Sequence, residues 1–113
     1  MPRAAILVLT QSPDRATAEV LARAWVEARL AACVSIGTTV ESLYHWRGKI
    51  EMAQEVPVAI KTCADVYPAV EAAIRARHPY ELPEIIAVPF CHGLSSYLAW
   101  IDDETRPAAA GGA

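Results

Sequence analysis

The chain has 113 residues, enough for one domain whose core covers only part of the unfolded surface, and its 54% hydrophobic content is high for so small a fold, so additional cover from a partner is expected. A net charge of −3 argues against a surface that tracks nucleic-acid phosphates. Charges and prolines interrupt every apolar run before the roughly twenty residues a membrane helix needs, and the start Met1-Pro2-Arg3-Ala4-Ala5 does not read as a signal peptide.

Ala4 to Leu9 is a continuous aliphatic run, as expected of a central strand buried on both faces. Ser12-Pro13-Asp14 follows as a helix start, with Ser12 as N-cap, Pro13 at the first helical position and an acid in the first turn, where the dipole favours it. Ala18, Leu21, Ala22, Trp25 and Ala28 recur at helical spacing, and Arg15, Glu19, Arg23 and Glu27 ladder another face. The helix is therefore expected to end near Leu30.

From Ala31 to Trp46 β-branched and aromatic residues recur, Arg47-Gly48-Lys49 makes a turn, and Ile50 to Thr62 alternates with period two. This predicts a long hairpin. In its second arm Met52, Gln54, Val56, Val58 and Ile60 share one face, with Glu55, Pro57, Ala59 and Lys61 on the other, and Pro57 implies an edge or a bulge. Asp65 is the expected cap of a second helix with a Tyr67, Val70 and Ile74 stripe, stopped by His78-Pro79. Pro83 to Phe90 reads as a last strand, Ser95 to about Thr105 as a helix, and 107–113 as a disordered tail, leaving one domain over 1–106.

Strand, helix, strand, strand, helix, strand, plus one helix is the ferredoxin-like βαββαβ order: an α+β fold with an antiparallel sheet whose first and third strands are central. The hairpin arms overhang a four-stranded sheet of ordinary strand length, and an overhang needs a partner. Cys33, Cys63 and Cys91 form no closely spaced pair and leave one over in any disulfide scheme, which suits the reducing cytoplasm.

That topology gathers Thr10, Gln11, His78, Tyr80, Glu81 and Glu84 at one end of the sheet and the three cysteines toward the other. The first strand-helix loop, Thr10-Gln11-Ser12, lacks the thiols of a soft-metal chaperone and the free amides of a phosphate cradle. The first strand has no aromatics to stack RNA bases, and no nucleophile-base pair or phosphate loop is visible, so no enzyme is expected. His78 with Glu81 or Glu84 could ligate a divalent metal. The alternative is that His78 simply ends the helix, favoured there by the dipole. Tyr44, Trp46, Glu55 and Lys61 suggest a cleft, the alternative being interface packing with an ion pair.

Arg29-Leu30-Ala31-Ala32-Cys33-Val34, Tyr44-His45-Trp46-Arg47-Gly48, Lys61-Thr62, His78-Pro79-Tyr80-Glu81-Leu82-Pro83-Glu84-Ile85 and Tyr97-Leu98-Ala99-Trp100-Ile101 occur in order from Leu9 to about Ile101. Together they resemble the CutA family of divalent-cation tolerance proteins. The resemblance implies a heat-stable ferredoxin-like homotrimer whose hairpins complete neighbouring sheets, linked to tolerance of copper and other divalent cations, with no required cofactor. Where copper coordination has been proposed in the family, it uses a cysteine ending strand one and histidines ending helix two. Thr10, Arg77 and His78 stand there in this chain. His78 and Glu81 remain the candidate ligands for weakly held copper or zinc. A PII-like signalling trimer is the alternative, binding a small anion in an inter-subunit cleft near Lys61, Tyr80 and Glu81.

Overall fold

In the computed structural model, residues 3–106 are described. The elements are β1 (Ala5–Ser12), α1 (Arg15–Glu27), β2 (Cys33–Ile36), β3 (Val40–Trp46), β4 (Lys49–Cys63), α2 (Tyr67–Arg77), β5 (Ile86–Pro89) and α3 (Ser95–Glu104). One 3₁₀ turn, Ala64–Val66, leads into α2. The expected tail at 107–113 lies outside the described residues.

All strand pairs are antiparallel, in the order β2-β4-β1-β5, with β3 paired to the far half of β4. The first strand and the second arm of the hairpin are thus central, as the ferredoxin-like order requires. Alternation then divides the sheet. Val8, Thr10, Val56, Val58, Ile60 and Thr62 are buried on one face, beneath α1 and α2, which contribute Leu21, Trp25, Val70 and Ile74. On the other face α3 covers one end, where Ile101 is fully buried and the Thr105 hydroxyl donates to the Ile101 carbonyl at 2.6 Å, with Cys63 Sγ 3.4 Å from the hydroxyl oxygen. The opposite end of that face is left to the loop over residues 78–84.

The first hairpin arm is two strands rather than one. Ile36 pairs with Val58 and Val40 with Glu55, so 37–39 oppose only Val56 and Pro57, one residue too many. Pro57 explains the break. Its carbonyl accepts from Gly37 N–H at 2.9 Å, and because N–H and C=O of a strand residue face the same neighbour, its missing donor faces the bulge. Glycine is needed opposite, since a Cβ on Gly37 would sit 2.9 Å from Pro57 Cγ. Of the two options for Pro57, the fold takes the bulge, and Pro57 itself is in a central strand.

The last strand is shorter than expected, Ile86–Pro89 rather than Pro83 to Phe90, and three other boundaries shift for local reasons. Pro13 keeps the preceding Ser12 extended, so Ser12 stays in β1 and Asp14 caps α1, its Oδ1 accepting from Thr17 N–H at 2.7 Å. Helix α1 stops at Glu27 rather than Leu30. Leu30 N–H reaches Trp25 O and Arg29 N–H reaches Val26 O, each at 3.0 Å, a Schellman ending that puts Arg29 at φ 60°. Asp65 does not cap α2; its carboxylate accepts from Arg3 instead, at 2.8 Å. The hairpin closes on Arg47 and Gly48 at φ 51° and 79°, as a two-residue type I′ turn requires.

Candidate functional site

The second arm of the hairpin runs 15 residues, and its half beyond Val56 pairs only with β3. Across that half, Ser42 faces Ala53 and Tyr44 faces Glu51, so Tyr44, Trp46, Ala53 and Glu55 point to the same sheet face as α3, at the end that α3 does not reach. Above them passes the loop after α2. Together with Gln11 they enclose a cavity of about 640 Å³, roofed by Pro79, Tyr80, Glu81, Leu82 and Glu84.

His78 fixes that roof. Its Nε2–H donates to the Gln11 carbonyl, and its Nδ1 accepts from Tyr80 N–H at 3.2 Å, which assigns the neutral tautomer. The imidazole also lies 4.7 Å from the Tyr80 ring, centroid to centroid. Both ring nitrogens are therefore occupied in joining β1 to the loop. The helix-stop reading holds in part: α2 ends at Arg77, with His78 N–H closing on Ile74 O at 2.9 Å and extended backbone beyond.

Burial, and next the Glu55 carboxylate beside it, hold the Tyr80 phenol above its usual range. At the mouth, Arg47 donates to Glu81 Oε2 at 2.7 Å, with both side chains about 70% exposed, and its guanidinium lies 5.2 Å from the Trp46 ring centroid. An ion pair so exposed adds little stability. It marks instead how this rim treats a positive group. The lining carries three carboxylates, Glu55, Glu81 and Glu84, and no cationic side chain. Gln11 Oε1 is buried there without a hydrogen-bond partner.

Of the residues singled out from sequence, Tyr44, Trp46, Glu55, Tyr80, Glu81 and Glu84 meet around this one cavity. Lys61 does not join them. It sits six positions along β4 from Glu55, roughly 20 Å at strand rise, with its Nζ 5.6 Å from the Tyr97 ring centroid. A hydrogen bond to Tyr97 holds its ammonium above the ordinary value. Within one chain Lys61 therefore shares the face of Glu55 but lies six residues along it, outside this cavity. The metal pair fits poorly, since His78 has no free nitrogen and Glu81 is bound to Arg47. Among the described residues no group of three or more His, Cys, Asp or Glu side chains could hold a metal ion. Gln11, whose buried Oε1 has no hydrogen-bond partner, was placed at this end by topology but its role was not legible from residue type.

A second, more open hollow runs between α1 and β2. Val20, Val26, Val34 and Ile36 line it among charged helix residues, with no convergent polar groups.

Comparison with known proteins agrees with this architecture. The family model described as "CutA1 divalent ion tolerance protein" matches residues 6–104. The "Divalent-cation tolerance protein CutA" of Thermus thermophilus is 38% identical over 99 residues, covering 88% of this chain and 96% of that protein. Its Escherichia coli namesake is 37% identical over 103 residues, covering 91% and 92%. Among solved structures, CutA1 from the psychrotrophic bacterium Shewanella sp. SIB1 superposes with a TM-score of 0.88 at 45% identity, covering 93% of this chain and 98% of that one. CutA1 from Oryza sativa gives 0.90 at 34% identity, covering 93% and 96%.

Proposed function

Because the chain belongs to the CutA1 divalent ion tolerance family, we propose that it works as a heat-stable homotrimer, without catalytic turnover, that contributes to tolerance of divalent cations such as copper. The observation that carries the assembly is the uncovered face of the hairpin. Leu43, Ile50 and Met52 are 69%, 71% and 63% exposed, and the register places them side by side on the face opposite Tyr44 and Glu55, with Leu43 also at the cavity's edge. Apolar side chains grouped this way on an unpaired strand ribbon mark an interface. A second copy of the chain suits it, since the hairpin's free edges can add to a neighbour's sheet.

The absence of turnover is supported by how the polar groups of the cavity are committed: His78 to Gln11 and Tyr80, Glu81 to Arg47, and Tyr80 set beside Glu55. Tolerance on this reading does not depend on a metal cage within one chain. A PII-like anion site finds no support in the cavity, whose lining is acidic and from which Lys61 is remote. The free thiols of Cys33, Cys63 and Cys91 suit a cytoplasmic home. Among the described residues no helix is long and apolar enough to cross a membrane.

Light scattering of protein recovered from the cytosolic fraction should give three times the monomer mass, and Met52→Lys should lower it. In a host lacking its own CutA, the wild-type chain should restore growth in copper or zinc salts, and the Met52→Lys variant should not. A monomer mass at micromolar concentration, or full rescue by a monomeric variant, would refute the trimer reading.

A further inference from the structure

We propose that the cavity beneath the 78–84 loop binds an organic cation of the ammonium or guanidinium class. Its volume, about 640 Å³, lies in the range of small-molecule sites. Three aromatic rings, Tyr44, Trp46 and Tyr80, stand around it with three carboxylates, Glu55, Glu81 and Glu84. Aromatic faces attract cations through the ring quadrupole, and carboxylates supply the countercharge. The same walls repel an anion.

Geometry separates this ligand from a bare metal ion. The carboxylates are spread around a cavity and do not converge: no group of three or more ligating side chains comes together among the described residues. A metal needs a shell of donors within bonding distance of one point. A cation several atoms long can touch an aromatic wall at one end and an acid at the other.

The rim holds an internal example of the chemistry. Arg47 lays its guanidinium against the Trp46 ring, 5.2 Å from the centroid, while bonding Glu81 at 2.7 Å. This arginine comes from the hairpin tip and the carboxylate from the loop, so the pair lies across the mouth. A ligand entering there competes with a cation already in place.

The test is calorimetric titration of the assembled, full-length protein with putrescine, spermidine, agmatine and choline, with ADP and zinc chloride as anionic and metallic controls. At least one organic cation should bind saturably, and tryptophan fluorescence should change in parallel because Trp46 lines the cavity. Glu55→Gln should weaken that binding by about tenfold, the loss expected for one desolvated charge contact. Arg47→Ala, an exposed change that should leave the fold intact, should tighten it by removing the competing guanidinium. Circular dichroism checks that each variant is folded. The proposal is overturned if no organic cation binds at millimolar concentration, as would follow were a neighbouring subunit to fill the cavity. It is equally overturned if ADP or zinc binds there in preference, if folded Glu55→Gln binds unchanged, or if Arg47→Ala abolishes binding.

Discussion

Arg3 does more bonding than any other side chain described. Its Nε donates to Asp102 Oδ1 at 2.6 Å, Nη1 to Asp65 at 2.8 Å, and Nη2 to the carbonyls of Asp102 and Thr105 at 2.8 and 2.7 Å. One guanidinium thus ties the entry to β1, the turn before α2 and the end of α3. Asp102 receives it with a side chain only 10% exposed, and that hydrogen bond, foremost, holds its carboxyl below the usual range. A carboxyl with a depressed folded value contributes stability that is present above its unfolded value and lost as pH falls through the folded one. Asp102→Asn should therefore lower the thermal midpoint at neutral pH, and the gap from wild type should narrow as pH drops below about 4. Thermal melts at a series of pH values check both. Nothing in the sequence announces this cluster, because Arg3 and Asp102 are 99 positions apart. The cavity residues were legible for the opposite reason: Tyr44, Trp46 and Glu55 share a strand face by alternation, and Tyr80, Glu81 and Glu84 follow a recognisable helix stop. What residue type alone could not show was that His78 spends both nitrogens on the backbone.

Among the elements, those whose pattern repeats were the readable ones. The burial of Leu21, Trp25, Val70 and Ile74 follows from helical spacing, and the alternation of β4 survives from Val56 to Thr62. Ends and breaks depended on single contacts. Arg29 adopts a left-handed conformation that no glycine signals, so the end of α1 was read three residues late. The bulge at 37–39 was foreshadowed only by Pro57 on the opposite strand. That bulge makes a sharp prediction. Gly37→Ala should destabilise the fold by about 1–3 kcal/mol, the usual penalty for forcing a methyl into packed space, because the new Cβ meets the Pro57 ring at 2.9 Å. Urea denaturation would measure it. A change below a few tenths of a kcal/mol would show that the strands part there at little cost.

For the whole molecule, the order of elements fixed the sheet, since a βαββαβ chain has few unknotted solutions. Size and hydrophobic content pointed to a partner, and the exposed Leu43, Ile50 and Met52 say where it would sit. Strand β4 joins both regimes. Its inner half is bonded to β1 on one side and β2 on the other, whereas residues 49–55 have only β3 beside them. One strand therefore carries two clocks. In hydrogen exchange, amides near Ile60 should open only with the fold, while alternate amides of the outer half, aimed away from β3, have nothing within the chain to slow them. If those outer amides nonetheless exchange as slowly as the inner ones, another chain is holding them, and the rate at which they quicken on dilution times how long it stays.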